Sequence, residues 1–206
     1  MARGLEPHDL AIWHTLQMSF DLAADRRVQT PRVDRAFPVA RGERVFVEGE
    51  FRLARWRPAR DGERLVDRNW FIGSPDLSPV LAVEISLNNG DQASGVRAPA
   101  WVWVKTGSVF VSDRGVYFYH SESGPLQTEW SDIEACSHVG PGVLQFSGEC
   151  GGEWGRWMIT SLWAELVFCL WAGARYPQHP QYIAAAWIPA GWRERVEDSP
   201  YDLPRA

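Results

Sequence analysis

The chain has 206 residues, 45% of them hydrophobic and 23% charged, and its 12 tryptophans offer large apolar surfaces, which favours a globular protein and argues against extensive disorder. No run approaches the ~20 consecutive apolar residues of a membrane span, and acids and a proline interrupt the N-terminal stretch where a signal peptide needs an apolar core. We therefore expect a cytoplasmic protein. The formal net charge of -5 argues against nucleic-acid binding, so no nucleic-acid partner is expected.

Cysteine and lysine usage add to this description. The three cysteines are an odd number without the dense spacing of a secreted disulfide scaffold, which favours reduced thiols. Only one of the 21 basic residues is a lysine, Lys105. Because arginine codons are GC-rich and lysine codons are not, this bias indicates a bacterial genome of high GC content.

The first predicted element is a helix with Pro7 at its first position and Asp9 in its first turn. Apolar residues return every three or four positions and predict one buried stripe, made of Leu10, Trp13, Leu16 or Gln17, Phe20 and Ala23. The stretch from Arg26 to Arg41 has two prolines and little periodicity. Residues 1–41 are therefore predicted as a helix followed by an extended connector.

After Arg44 the apolar period changes to two, which predicts a β-strand. One face would carry Val45, Val47, Gly49, Phe51 and Leu53, and the other Arg44, Phe46, Glu48, Glu50 and Arg52. Asp61-Gly62 is a hairpin signal, so we expect residues 64–73 to return antiparallel to this strand. A long insertion over about residues 58–100 contains one more strand-like run, Pro79 to Leu87.

Residues 98–160 have the densest strand pattern in the chain. Short alternating runs are separated by glycine or proline at roughly 8–12 residue spacing, which is typical of an antiparallel barrel or sandwich. A helix with apolar side chains around most of its circumference is then predicted from Ser161 to Gly173. We expect it to plug the barrel and to be covered by the C-terminal residues 178–197, including Tyr182, Ile183, Trp187 and Trp192.

A family resemblance rests on three features of residues 107–172. Gly107 opens the strand pair GSVFVSDRGVYFY, which ends at Tyr119; the stretch Trp130-Ser131-Asp132-Ile133 follows, and then the helix from Ser161. This order resembles the bacterial pleckstrin-homology and GRAM-like domains, in which a final helix caps a small barrel.

The resemblance implies a mainly β (α+β) fold, a small antiparallel barrel with a capping helix over residues 42–176. Arg44 to Leu53 would be an early strand of that barrel. Helices are added at both ends, the C-terminal ones in a tail at 177–206 that packs on the barrel. By analogy with the family, the protein would be a binding scaffold for a protein partner or a lipid head group.

No catalytic or metal-binding signature is present. The motifs G-x-S-x-G, H-E-x-x-H, G-x-G-x-x-G and the Walker loop are missing, and the five histidines are scattered. Cys136, His138 and Cys150 could offer three soft ligands but lack the CxxC or HxxxH spacing, and Cys169 lies in an apolar helix. We therefore predict no catalytic residue, no metal and no cofactor.

One candidate ligand-binding site is an arginine-rich strand end, made of Arg52, Arg55, Trp56 and Arg57. Arginine forks can hold phosphate bidentately and a tryptophan can lie at a membrane interface, so this strip could bind an anionic lipid head group. The alternative is a solvated strand face with ordinary ion pairs, because Asp61, Glu63 and Asp67 are close in sequence.

Trp101 and Trp103 fall on one face of a predicted strand and Val102 and Val104 on the other. Both faces should therefore be covered, either by the core or by a second protein. Tryptophan and arginine are favoured at interface centres. The sequence thus predicts a non-catalytic bacterial interaction module that binds a protein partner or self-associates, with lipid binding as the alternative and an enzyme as the interpretation with least support.

Overall fold

The computed structural model describes residues 5–24, 26, 28, 39–67, 98–120 and 124–197. The strands in these ranges are β1 (Val45–Pro58), β2 (Pro99–Ser112), β3 (Gly115–His120), β4 (Gly124–Glu129), β5 (Ile133–Gly140), β6 (Val143–Cys150) and β7 (Glu153–Thr160). The helices are α1 (Pro7–Ala23), α2 (Ala164–Arg175), α3 (Pro180–Ile183) and α4 (Trp192–Glu197), with a 3-10 helix at Trp130–Asp132.

The strands form one antiparallel sheet in the order β4-β3-β2-β1-β7-β6-β5, curled into a half-barrel. Edge strand β4 approaches the β6–β7 turn, where the amide of Gly151 donates a hydrogen bond of 3.1 Å to the carbonyl of Gln127. The prediction of a mainly β, antiparallel fold with helices is confirmed. The curled sheet is a half-barrel, however, and not a closed barrel.

Helix α2 packs against the inner face of the curled sheet. Leu166 and Phe168 are fully buried, and the buried Trp171 donates its indole N–H to the carbonyl of Ile133 at 3.1 Å. The helix begins three residues later than predicted, because the hydroxyl of Ser161 accepts the N–H of Trp163 in a turn before it. A helix that is apolar on most sides is thus enclosed in the core.

The predicted faces of β1 are wrong at its start. A register shift between Val45 and Val47 lets both Phe46 and Val47 enter the main core, while Val45 packs in a separate small cluster with Phe110. Such a bulge places one extra residue on a strand and reverses the alternation on one side of it. Strict period-two counting, which separates Phe46 from Val47, therefore fails at this point of the strand.

Helix α1 begins at Pro7, as predicted, but the buried face of the helix differs from the predicted apolar stripe. Its buried apolar residues are Ala11, Ile12 and Met18. Leu10 and Phe20, which the predicted stripe included, are 37% and 59% exposed. The buried face includes small side chains that allow close approach to the core, a feature that a count of large apolar residues does not detect.

The predicted turn at Asp61-Gly62 is present, but the chain after it does not return along β1. Leu65 forms a bridge with Val102 of β2, and the amide of Val66 donates to the carbonyl of Trp101 at 2.9 Å. β1 already has β2 on one side and β7 on the other, so the returning segment pairs with β2 instead. Residues 68–73 and the predicted strand Pro79–Leu87 lie outside the described residues.

The C-terminal segment covers part of the core, as its tryptophans predict. Trp187 and Trp192 are buried in the main cluster, whereas Ile183, expected to join them, is 64% exposed. The side-chain amide of Gln181 hydrogen bonds both the N–H and the carbonyl of His138, at 3.1 and 2.7 Å. Gln181 thereby satisfies backbone groups on the outer edge of β5, which would otherwise be open to pairing. None of the helices in the described ranges has the length and apolar character that crossing a bilayer requires.

Candidate functional site

An open cleft of about 810 Å³ lies between the start of α1, the strands β1 and β7, and the C-terminal segment. Its size is within the range of small-molecule sites. The residues that line it and carry polar side chains are Glu6, His8, Asp9, Glu50, Arg52, Thr160, Ser161 and Arg195.

Behind this cleft is a buried carboxylate that joins four parts of the fold. Glu165 of α2 is fully buried, and its Oε1 lies 2.9 Å from Nε2 of His8 and 3.0 Å from Nε2 of His138. The same oxygen accepts the amide N–H of Gly142 at 2.7 Å. Glu165 thus links α1, β5 and the β5–β6 turn to α2 through one oxygen atom.

The ionisation of this cluster is set by opposing effects. Burial would raise the pKa of Glu165, but hydrogen bonds from His138 and His8 outweigh it and lower that pKa to about 2. Burial would likewise lower the pKa of His8, but the hydrogen bond and negative charge of Glu165 raise it above its ordinary 6.5. Glu165 is therefore ionised at neutral pH, and His8 is more readily protonated than a free histidine.

A second ion pair closes the cleft at α4. Arg195 donates to Oδ1 of the buried Asp9 from Nε at 3.2 Å and from Nη2 at 2.9 Å. Trp192 donates its indole N–H to the backbone carbonyl of Asp9 at 3.1 Å. The start of α1 is thus held by charged partners on both α2 and α4.

The side chains that could act as nucleophiles are engaged or buried. The hydroxyl of Ser161 donates to the carbonyl of Glu50 at 2.7 Å and accepts the N–H of Trp163. Burial raises the pKa of Cys136 and Cys169 well above the usual range and that of Cys150 to about 11. Within the described ranges, no group of three or more histidine, cysteine or acidic side chains is arranged to hold a metal ion.

The arginine-rich strand end is divided between two places. Arg52 lines the cleft, opposite Thr160 in the pairing of β1 with β7. Arg55 forms an ion pair with Glu153 and lies over the ring of Trp157, 4.9 Å from its centroid.

Arg57 lies further along β1 and is held by an acid of the following turn. It makes a bidentate pair with Glu63, with both N–O distances 2.7 Å. Hydrogen bonds from Arg57 lower the pKa of Glu63 to about 2. Of the predicted strip, Arg55 and Arg57 therefore each contact a carboxylate.

The predicted interface residues Trp101 and Trp103 pack in one cluster with Trp56, the remaining residue of the arginine-rich strand end. The rings of Trp56 and Trp101 are 5.4 Å apart between centroids, and the guanidinium of Arg156 lies 5.4 and 5.5 Å from them. Trp101 is fully buried, and Trp103 is partly buried against the same cluster. A partner on this face would therefore contact Trp103 and Trp56 but not Trp101.

An exposed tryptophan nearby was not singled out by the sequence patterns. Trp154 of β7 is 61% exposed, and its indole N–H donates to Glu134 at 3.3 Å. Its backbone carbonyl accepts Nη2 of Arg55 at 3.0 Å.

The sequence patterns also did not identify the buried cluster behind the cleft. His8 and Glu165 are 157 positions apart, and His138 is 27 positions from Glu165, so no local motif connects them. One signal was present: Glu165 is an acid inside an otherwise apolar helix. A buried acid needs a partner, and that need points to distant histidines.

Comparison of the chain with protein-family models, curated proteins and solved structures found no match.

Proposed function

We propose that the protein is a non-catalytic interaction module of a bacterial cell that binds a protein partner through the surface around Trp154. The fold supports a scaffold of the pleckstrin-homology and GRAM-like kind. Its antiparallel sheet is followed directly by α2, which fills the inner face as a capping helix would. Fold likeness alone does not define function, so the proposal depends on the surface.

The observation that carries the proposal is that Trp154 is exposed yet held in position. More than half of its surface faces solvent, while Glu134 binds its indole and Arg55 binds its backbone carbonyl. An indole fixed before binding loses little conformational entropy when a partner covers it. Tryptophan is also among the residues that most often dominate binding energy at interfaces.

Neighbouring side chains extend this surface. Arg156 is two residues from Trp154 on β7 and therefore projects from the same face of the strand. Its guanidinium stacks on Trp56, and Trp103 packs against the same cluster. Tryptophan and arginine are enriched in interfaces relative to other surfaces. We define the Trp154 surface as Trp56, Trp103, Trp154 and Arg156.

A catalytic role has less support from the described residues. The cleft contains a histidine oriented by a carboxylate, but the adjacent Ser161 hydroxyl is engaged with Glu50 and Trp163. The three cysteines are buried with raised pKa values, which disfavours the reactive thiolate.

Lipid head-group binding at the arginine strip is the weaker alternative. Arg55 and Arg57 already pair with Glu153 and Glu63, so a phosphate would have to displace a carboxylate from each. Sedimentation with vesicles containing phosphatidylserine, at low and high salt, tests this alternative. Salt-sensitive sedimentation lost in the Arg55→Ala, Arg57→Ala double variant would favour the lipid over the protein partner.

Affinity capture from the organism that encodes the protein tests the protein-partner proposal, with the parent chain, Trp154→Ala and Tyr176→Ala as baits. Tyr176 is 49% exposed and lies at the end of α2, so its variant is the matched control. We expect one or more proteins captured by the parent and by Tyr176→Ala but lost with Trp154→Ala. Equal capture by all three baits would contradict the proposal. Sedimentation velocity on the same variants distinguishes a second copy of the chain as the partner.

A further inference from the structure

Two carboxylates lie beside the exposed indole of Trp154. Glu149 of β6 is directly opposite Trp154 in the pairing of β6 with β7, so both side chains project from the same face of the sheet. Glu134 of β5 approaches the same ring and accepts its indole N–H at 3.3 Å. All three side chains are exposed to solvent. We name Glu134 and Glu149 the acidic flank of Trp154.

The acidic flank has no cationic partner in the described part of the chain. Neither Glu134 nor Glu149 forms an ion pair with a described residue. Glu153, the acid next to Trp154 in sequence, differs from them because it pairs with Arg55. The charge of the acidic flank is therefore open to a partner.

Two neighbouring arginines are engaged elsewhere. Arg55 is opposite Trp157 in the β1–β7 pairing, and Trp157 is three residues after Trp154, so the side chains of Arg55 and Trp154 project from opposite faces of the sheet. Arg156 is on the same face as Trp154, but its guanidinium lies over the ring of Trp56, 5.4 Å from the centroid. No described arginine or lysine lies over the ring of Trp154 in this way.

An exposed indole beside two carboxylates favours a cation. The face of an indole carries negative electrostatic potential and attracts ammonium and guanidinium groups. Carboxylates at the edge of the ring add Coulomb attraction and accept hydrogen bonds from the same cation. A guanidinium meets both requirements, because it is planar and stacks on the ring while its N–H groups donate outward. Arg156 over Trp56 is an example of this stacking on the same face of the sheet.

Other partner chemistries fit the acidic flank less well. An anionic segment would be repelled by the two carboxylates. A purely apolar segment would remove water from them without offering hydrogen bonds in return. The formal net charge of -5 also favours the approach of a positively charged partner.

We propose that the partner contacts the Trp154 surface with a basic segment, and that an arginine of this segment lies over the indole of Trp154 between Glu134 and Glu149. This inference rests on the proposed function, since it defines the chemistry of the partner that binds there. The arginine supplies positive charge to the acidic flank and a planar surface to the indole. Affinity should therefore depend on both acids and weaken as salt rises, because exposed charges are screened.

An NMR titration that follows the indole N–H signal of Trp154 tests this inference. The signal is assigned by its absence from the spectrum of Trp154→Phe. The probes are three acetylated and amidated pentapeptides, in which three glycines alternate with two arginines, two citrullines or two glutamates. Citrulline is the matched control, because it has the shape of arginine without the charge. We expect the arginine peptide to shift the Trp154 signal with an affinity about tenfold above that of the citrulline peptide, and the glutamate peptide to leave the signal unmoved.

Two double variants with the same net charge locate the effect on the protein. Glu134→Gln, Glu149→Gln removes the charges of the acidic flank but keeps an oxygen that can accept the indole N–H. It should weaken binding of the arginine peptide about tenfold, since each exposed ion pair contributes up to about fivefold in affinity. Glu48→Gln, Glu50→Gln is the matched control, because both acids are exposed on β1. It should change the affinity by less than about twofold.

Three results of the titration would overturn the inference: equal affinities for the arginine and citrulline peptides, equal affinities of the two double variants for the arginine peptide, or a Trp154 signal that none of the peptides moves. The same double variants, used as baits in the affinity capture, separate this inference from the proposed function. A protein lost with Trp154→Ala but retained with Glu134→Gln, Glu149→Gln would leave the interface in place and contradict a basic partner. Equal capture by all baits would contradict the proposed function itself.

Discussion

His8 and Glu165 are 157 positions apart in the sequence, and Nε2 of one lies 2.9 Å from Oε1 of the other. This hydrogen bond ties α1 to α2. It places an ionised carboxylate in the core, where one oxygen of Glu165 accepts hydrogen bonds from His8, His138 and the amide of Gly142.

Glu165→Gln tests this cluster. The amide keeps an oxygen that can accept these hydrogen bonds but lacks the negative charge that strengthens them, so we expect a loss of about 3 kcal/mol in the free energy of unfolding. Urea denaturation of the variant beside the parent measures it. Glu149→Gln, at an exposed position on β6, is the control and should change stability by less than about 0.5 kcal/mol. Equal effects of the two variants would mean that the cluster contributes nothing specific.

The cluster also predicts how stability depends on pH. The raised pKa of His8 contributes stability that is fully present below 6.5 and is lost as pH rises through the folded-state pKa. The lowered pKa of Glu165 contributes stability that is present above 4.5 and is lost as pH falls toward about 2. Their joint contribution is therefore largest between pH 4.5 and 6.5.

The difference in unfolding free energy between the parent and His8→Gln separates the contribution of His8 from the contributions of the other histidines. Burial lowers the pKa of His14 and His179, so these residues change stability in the opposite direction over the same range. We expect the stability advantage of the parent over His8→Gln to shrink as pH rises from 6 to 9. A constant difference over that range would show that His8 does not gain its proton affinity from Glu165.

Helix α2 should be the element on which the fold most depends. Leu166→Ala leaves a cavity at a fully buried position and should cost about 2–5 kcal/mol. Arg57→Ala removes a partly exposed ion pair with Glu63 and should cost about 1 kcal/mol or less. Thermal and urea melts compare the two. A larger loss from Arg57→Ala would mean that core and surface have been misassigned.

The contact of β1 with Trp163 gives a further prediction. A Cβ on Gly49 would lie 2.6 Å from Cδ1 of Trp163, so Gly49→Ala must displace that indole from the carbonyl of Glu48. Such overpacking should cost about 1–3 kcal/mol. Gly152→Ala, at a turn with open space around it, controls for the added methyl group, although its φ of +81° carries a strain of its own. An unchanged near-ultraviolet circular dichroism spectrum in Gly49→Ala would contradict the expected movement of Trp163.

Much of the sheet could be predicted because period-two alternation reports directly on which strand face is buried. The same rule failed at Phe46, since a bulge shifts the alternation by one residue and leaves no mark in composition. It also failed for α1, where the large residues Leu10 and Phe20 are exposed and the small Ala11 is buried. In both cases tertiary packing determines which face of the element is buried, and the local sequence pattern does not distinguish the two faces.

The candidate sites were harder to predict than the fold. Glu63, the partner of Arg57, is one of the acids close in sequence, whereas Glu153, the partner of Arg55, is brought near only by the pairing of β1 with β7. The cleft depends on His8 and Glu165, which only the completed fold brings together. Trp154 is the second residue of β7, just after the turn from β6, so its exposure depends on the register in which these two strands pair.

Photo-crosslinking from position 154 tests the proposed function most directly. A photoreactive amino acid is introduced at Trp154 and, as the control, at the similarly exposed Tyr176, and both proteins are irradiated in cells of the encoding organism. We predict a discrete crosslinked protein from position 154 and none from position 176. The same products from both positions, or none from position 154, would contradict the assignment of the Trp154 surface as the interface.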